Sequence, residues 1–376
     1  MTDTESTAGT DTIDSGVTSH LEPALSETLD ARDAAAFVHV GPPHDPDVRY
    51  CCPSVERGLA AVAFDGETWL LETESDGSGH PAERLGATLA NRIGTGPILT
   101  PARLPHDAAL YLEQAGFELA STDVIARTRA TKASRERERI GAAQRAAATG
   151  VRQAASLLAD ATVADGRLVA DGEVVTPGRL REAIDREIVS EGAFPAGNTV
   201  VNPDPGHHPS TLDSADDALR PGEPIVLETA PRGPEGYYGG LVRTLVVDSD
   251  GGRERRAHVG VTQSFRSAAS MLTADIESVA AVEADLEAEV RAFGFEDADA
   301  VQTQVAGVGL EPDERPRAGD DEIEPGAVIR LESAVHVADG QWLRIAELLV
   351  KGEVGERATY LPAPSRSLEP TALCKE

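Results

Sequence analysis

The chain has 376 residues, with 34 Lys and Arg against 64 Asp and Glu, a formal charge of −30. That length suits two domains, and a hydrophobic content of 40% is enough for a sizeable core. So negative a chain excludes nucleic acid and anionic membrane surfaces as partners, since each calls for a cationic face. In chain order, residues 1–20 are acidic and polar and read as a disordered tail. A first domain follows over 21–126. Its strand-like runs are AAAFVHV at 34–40, LAAVAFD at 59–65 and TWLLET at 68–73, short and apolar between Gly, Pro and Asp. AERLGATLANRI at 82–93 and HDAALYLEQAG at 106–116 carry apolar residues at spacings of three and four, which predicts helices. Strands alternating with helices give a small α/β domain.

A second domain is expected over 127–363. Residues 127–160 form the longest helical stretch, opening in an Arg- and Glu-rich run that reads as a solvated face laced with ion pairs. TPGRLREAIDREIVSEG at 176–192 predicts a helix with Thr176 as its N-cap and Pro177 at the first position. IVLETA at 225–230 and YGGLVRTLVVD at 238–248 predict two strands of a hairpin. Residues 264–295 read as helical, in two segments. VIRLESAVHV at 328–337 and LRIAELLV at 343–350 predict a closing strand pair, and 364–376 a C-terminal tail.

Lysine occurs only at Lys132, Lys351 and Lys375, and aromatic residues make up 4%. Acidity spread along a lysine-poor chain points to a halophilic, high-salt cytoplasm, where screening relieves the self-repulsion of a compact state. Cys51, Cys52 and Cys374 form neither a metal spacing nor a disulfide framework, so a reducing compartment is expected. The adjacent Cys51 and Cys52 read as small hydrophobes rather than reactive thiols. MTDTESTAGTDTIDSG lacks the cationic start and apolar run of a secretory signal, and no run of about 18 apolar residues predicts a transmembrane helix. The expected location is cytoplasmic.

Local catalytic motifs are absent: the sequence holds no HExxH, Walker A loop, GxSxG or CxxC pair. Five segments instead form a long-range constellation. They are GNTVVNPDPGHHPST at 197–211, RPGEPIVLETAPRGPEGYYGGLVRTLVV at 220–247, AGVGLEPDERP at 306–316, EPGAVIRLESAVHV at 324–337 and QWLRIAELLV at 341–350. In this order, after the helix-like KASRERERIGAAQRAA at 132–147, they resemble the creatinase/methionine aminopeptidase ("pita-bread") metallopeptidases, nearest to the Xaa-Pro, prolidase-like branch. The resemblance implies an α/β (α+β) chain with a pita-bread C-terminal domain and a smaller creatinase-type N-terminal α/β domain. It also implies a homodimer.

The family's ligand positions map onto this chain with changes. The first metal-binding Asp is Glu228, the second is Gly240, the His is Ala306, the first Glu is kept as Glu332, and the final bridging Glu is Ala346. Two divalent cations about 3.5–4 Å apart need bridging carboxylates to share their charge. Glu228 and Glu332 alone do not supply them, and Glu347 points to the opposite strand face from Ala346. No metal cofactor is therefore expected. The first expectation is a non-catalytic pseudo-peptidase that binds a peptide, a small cationic ligand or a protein. The second is a metal-independent, creatinase-like C–N hydrolase, with His207 or His208 as general acid/base and Glu228 and Glu332 holding a cationic substrate. Spacing does not decide which histidine matches the family's. The third is an active metallo-exopeptidase with divergent ligands, loaded with Mn, Co or Zn. Arg243 and Arg344 are candidate substrate-binding residues beside the glutamates. Arg243 also reads as a structural ion pair in the hairpin, and Arg344 as a partner of Glu332. Asp313 and Glu314 are expected at the solvated surface.

Overall fold

Where apolar residues alternate, this chain makes strands; where they recur every three or four residues, it makes helices. The computed structural model describes residues 15–205 and 217–374. It comprises two units, Met1–Arg129 and Ala130–Glu376.

The first unit carries helices α1 Ser15–Arg32, α2 Pro46–Cys51, α3 Pro81–Ile93, α4 His106–Gln114 and α5 Val124–Ala130. Its strands are β1 Ala36–Gly41, β2 Ala60–Phe64, β3 Trp69–Thr73, β4 Pro97–Pro101 and β5 Glu118–Thr122. They form a mixed sheet in the order β3-β2-β1-β4-β5. β1–β2, joined through α2, and the β2–β3 hairpin are antiparallel, while β1–β4 and β4–β5, reached through α3 and α4, are parallel. Its core holds Val38, Val40, Leu85, Leu89, Ile98 and Leu112. Asp45 caps α2, accepting from the backbone N of Asp47 and Val48 at 3.0 and 2.9 Å, and meets His39 Nε2 at 2.9 Å. Burial pushes the Cys51 thiol well up and that of Cys52 to about 12, so neither is a ready thiolate. One correction concerns the N-terminus. The tail expected over 1–20 gives way at Ser15 to α1, whose Leu21, Leu25 and Leu29 are buried.

The second unit opens with α6 Ser134–Ala159, a break from α5 at 131–133 that the single helical stretch expected over 127–160 did not contain. Glu136 explains it, because its Oε2 turns back to accept from Ala133 N at 2.9 Å and starts a fresh helix. β6 Thr162–Ala164, β7 Arg167–Ala170 and β8 Glu173–Val174 make a small separate sheet. Then come α7 Pro177–Ser190, β9 Val200–Val201, β10 Ile225–Thr229, β11 Leu241–Leu245, α8 Arg253–Ala274, β12 Glu277–Ser278 and α9 Val279–Arg291. The chain continues through β13 Val301–Gly307, β14 Glu322–Ile323, β15 Val328–Ala338, β16 Gln341–Val350, β17 Thr359–Tyr360 and α10 Pro370–Leu373. Thr176 caps α7 as expected, accepting from Arg179 N at 3.3 Å, with Pro177 leading the helix.

The main sheet is antiparallel throughout, in the order β13-β15-β16-β11-β10-β9, with β17 beside β16. Strand alternation divides its faces. From β15, Ile329, Leu331 and Val335 pack into one core with Val261, Phe265, Val282 and Leu286 of α8 and α9. From β10 and β11, Ile225, Leu227, Leu241 and Leu245 pack with Val151, Leu158, Ile184 and Ile188 of α6 and α7. Intervening residues point to the second face. Lys351, just past β16, is buried and donates to the carbonyls of Leu272 and Asp275 at the end of α8, where a cation suits the helix dipole. The C-terminal segment, expected as a tail, is packed onto the unit. The Pro364 and Ser365 carbonyls accept from buried Arg243, and Leu373 of α10 is buried in the α6–α7 core.

Candidate functional site

Residues directly opposite one another on antiparallel strands share a face. The register aligns Gln304 with Glu332, Glu332 with Ala346, Ala346 with Val242, and Val242 with Glu228. One row across β13, β15, β16, β11 and β10 therefore holds Glu332, Ala346 and Glu228. Ala306 lies opposite Arg330, two residues along β15 from Glu332. A Cβ on Gly240 would meet Leu348 at 3.6 Å and Arg330 Cδ at 3.7 Å. All five positions matched to family ligands thus share the second face of one sheet.

Two arginines, Arg330 and Arg344, stand on the same face as these positions. Arg344 lies between the carboxylates: its Nη1 is 2.9 Å from Glu228 Oε2, its Nη2 2.5 Å and its Nε 3.0 Å from Glu332 Oε1. Its Nη1 also donates to the Pro203 carbonyl at 3.3 Å. Arg330 Nη2 stands 2.9 Å from Glu332 Oε2 and donates to Gln304 Oε1 at 3.0 Å, while its Nη1 is 3.9 Å from Glu228 Oε1. Gln304 in turn donates to Asp313 Oδ2 at 3.0 Å. Glu332 and Arg344 are 4% and 3% exposed, so their charges meet each other rather than water. Arg330 Nε and Glu332 Oε2 are buried without an aligned hydrogen bond, so electrostatics holds that contact. Burial by itself would raise the Glu332 carboxyl, but Arg330 and Arg344 outweigh it and hold the group below the ordinary range. Burial likewise opposes the charge on Arg344, and Glu332 and Glu228 together raise it further from neutrality.

The sequence candidates separate accordingly. Glu228, Glu332 and Arg344 come together, and the pairing expected of Arg344 with Glu332 is present. Arg243 does not join them and is corrected as a member of this site. It follows Val242 on β11 and so faces the other way, fully buried, bonded to Glu347 and to the carbonyls of Ala346, Pro364 and Ser365. Glu347 is thereby fixed on that opposite face, where it also meets Arg366. His207 and His208 lie outside the described residues. Glu314 is corrected too. It is 6% exposed and pairs with buried Lys132 at 2.7 Å, whereas its neighbour Asp313 is exposed. Gly309 admits it, because a Cβ there would lie 2.2 Å from Glu314 Oε1.

Arg330 and Gln304 went unnoticed in the sequence. The signal for Arg330 was its place in VIRLES, two residues before Glu332 and hence on the same face. Among the described residues no group of three or more His, Cys, Asp and Glu side chains is placed to hold a metal ion. No helix among them is long and apolar enough to cross a membrane.

With this geometry in view, comparison with known proteins is specific about the fold. A model of Metallopeptidase family M24 matches residues 138–353. No curated protein matches the sequence significantly. The prolidase from Pyrococcus horikoshii OT3 superposes with a TM-score of 0.71 at 18% identity, covering 93% of this chain and 99% of that one. The Xaa-Pro dipeptidase from Bacillus anthracis gives a TM-score of 0.75 at 14% identity over 93% and 99% of the two chains. The N-terminal domain of the FACT complex subunit SPT16 from Cicer arietinum gives 0.67 at 14% identity, over 95% and 98%.

Proposed function

The chain belongs to metallopeptidase family M24, and on that premise we propose that it is a non-catalytic member that binds a peptide or protein. One observation carries this reading: the carboxylates Glu228 and Glu332 are already neutralised by Arg330 and Arg344. The residues present do not fit a pair of divalent cations. Such a pair would face two like-charged guanidiniums, one of them almost fully buried, and would have two carboxylates to share. A fold of this kind is not bound to one chemistry, since SPT16, named for a complex rather than a peptidase, shares it.

The ligand class follows from what borders the cluster. A cavity of about 270 Å³ is lined by Asp204, Glu223, Asp339 and Trp342, together with Pro203, whose carbonyl holds Arg344. Carboxylates around an indole favour a cationic group, such as the amino end or a basic side chain of a peptide. The second reading, a working Xaa-Pro exopeptidase, is favoured by the likeness to prolidases over nearly the whole chain.

Elemental analysis and calorimetry with Mn²⁺, Co²⁺ and Zn²⁺ in high salt, alongside hydrolysis of Xaa-Pro dipeptides, separate the two. The proposal expects no stoichiometric metal and no turnover. Tight binding of two metal ions with hydrolysis overturns it.

A further inference from the structure

Resting on that reading, we propose that Arg344, seconded by Arg330, is the resident cation of this site, and that removing it uncovers a two-carboxylate site for a divalent metal ion. The argument is one of charge and space. Among the described residues, Arg344 is the one side chain that touches both carboxylates at 2.9 Å or closer, through separate nitrogens of one planar cation. The group is neutral as it stands, with two guanidiniums against two carboxylates. Gly240, Ala306 and Ala346 bring no side-chain donor to the cluster, and Arg330 Cδ lies 3.7 Å from where a Cβ on Gly240 would stand. Truncating Arg344 to alanine leaves Glu228 and Glu332 facing a guanidinium-sized space, with Arg330 as the counter-cation that remains among the described residues. The second face then has an excess negative charge, a cavity and carboxylate oxygens, which is what a hard cation with several water ligands needs. Further truncation of Arg330, which reaches Glu332 at 2.9 Å and Glu228 only at 3.9 Å, removes the remaining competitor.

Mn²⁺ is the probe, titrated by calorimetry into the full chain in high KCl, which suppresses unspecific binding to the acidic surface. The unsubstituted protein, Arg344→Ala, Arg330→Gln/Arg344→Ala and Arg344→Ala/Glu332→Gln are compared. The expected order is no specific binding for the unsubstituted chain, a dissociation constant for Arg344→Ala at least about tenfold below the weakest that the titration detects, tighter binding again for the double arginine variant, and loss of the gain with Glu332→Gln. If Arg344→Ala is unfolded in metal-free buffer, the same titration is followed by far-UV circular dichroism, and Mn²⁺-dependent recovery supports the proposal. A variant that binds no more tightly, or that Mn²⁺ does not refold, overturns it. Two tightly bound metal ions in the unsubstituted protein instead overturn the non-catalytic reading. The two failures are therefore distinct.

Discussion

Glu332 is the residue on which both guanidiniums converge, and its loss is felt by both. Glu332→Ala leaves Arg330 and Arg344 sharing only Glu228, and truncation of one partner in a buried ion pair costs about 3–5 kcal/mol. Chemical denaturation at neutral pH is expected to show a loss at the lower end of that range, because Arg344 keeps Glu228. The same residue fixes a pH dependence. Its folded pKa lies below the ordinary value of 4.5, so its contribution is complete above that value and is lost as the pH falls below it. Unfolding midpoints of the parent should therefore drop in this acid window more steeply than those of Glu332→Gln. The pairing of Arg344 with Glu332 was legible because both fall on the same face of neighbouring strands, two residues apart in the register. Arg330 was harder to read: its spacing puts it on the face of Glu332, but nothing in a single sequence says that its guanidinium reaches that carboxylate.

Elements tell a similar story at larger size. β15 and β16 are plain in the sequence because their apolar residues alternate on one face and face α8 and α9 in a single core. The break between α5 and α6 was hidden, as it depends on the Glu136 carboxylate preferring the Ala133 amide to solvent. The C-terminal segment was hidden for another reason. Its contacts with Arg243 use the carbonyls of Pro364 and Ser365, groups that every residue has and that no side-chain pattern advertises. Two substitutions test these elements. Leu373→Ala, from the end of α10, should destabilise the second unit by about 2–5 kcal/mol, as for other buried leucines. Thr176→Ala, at the head of α7, should cost about 1 kcal/mol. Urea denaturation of each variant reads the difference.

At the level of the molecule, charge dominates. A formal charge of −30 opposes compaction, and the Debye length shortens from about 10 Å at 0.1 M to about 3 Å at 1 M salt. The midpoint of thermal unfolding is expected to rise over that range of KCl. A flat profile would show that the acidic surface does not strain the fold. The α/β class and the family resemblance were legible because they depend on the order of segments along the chain. The chemistry of the site was not, because it depends on which charges meet across strands.

Lysine supplies a practical corollary. Lys132 and Lys351 are buried, one paired with Glu314 and the other closing the end of α8, while Lys375 is the last of the three in the chain. An amine-reactive ester will leave both interior amines unmodified while the second unit is folded, and will acylate them once it opens. Pulse labelling followed by mass spectrometry thus gives this chain a natural, tag-free clock for unfolding, with two reporters placed at opposite ends of the same domain sequence.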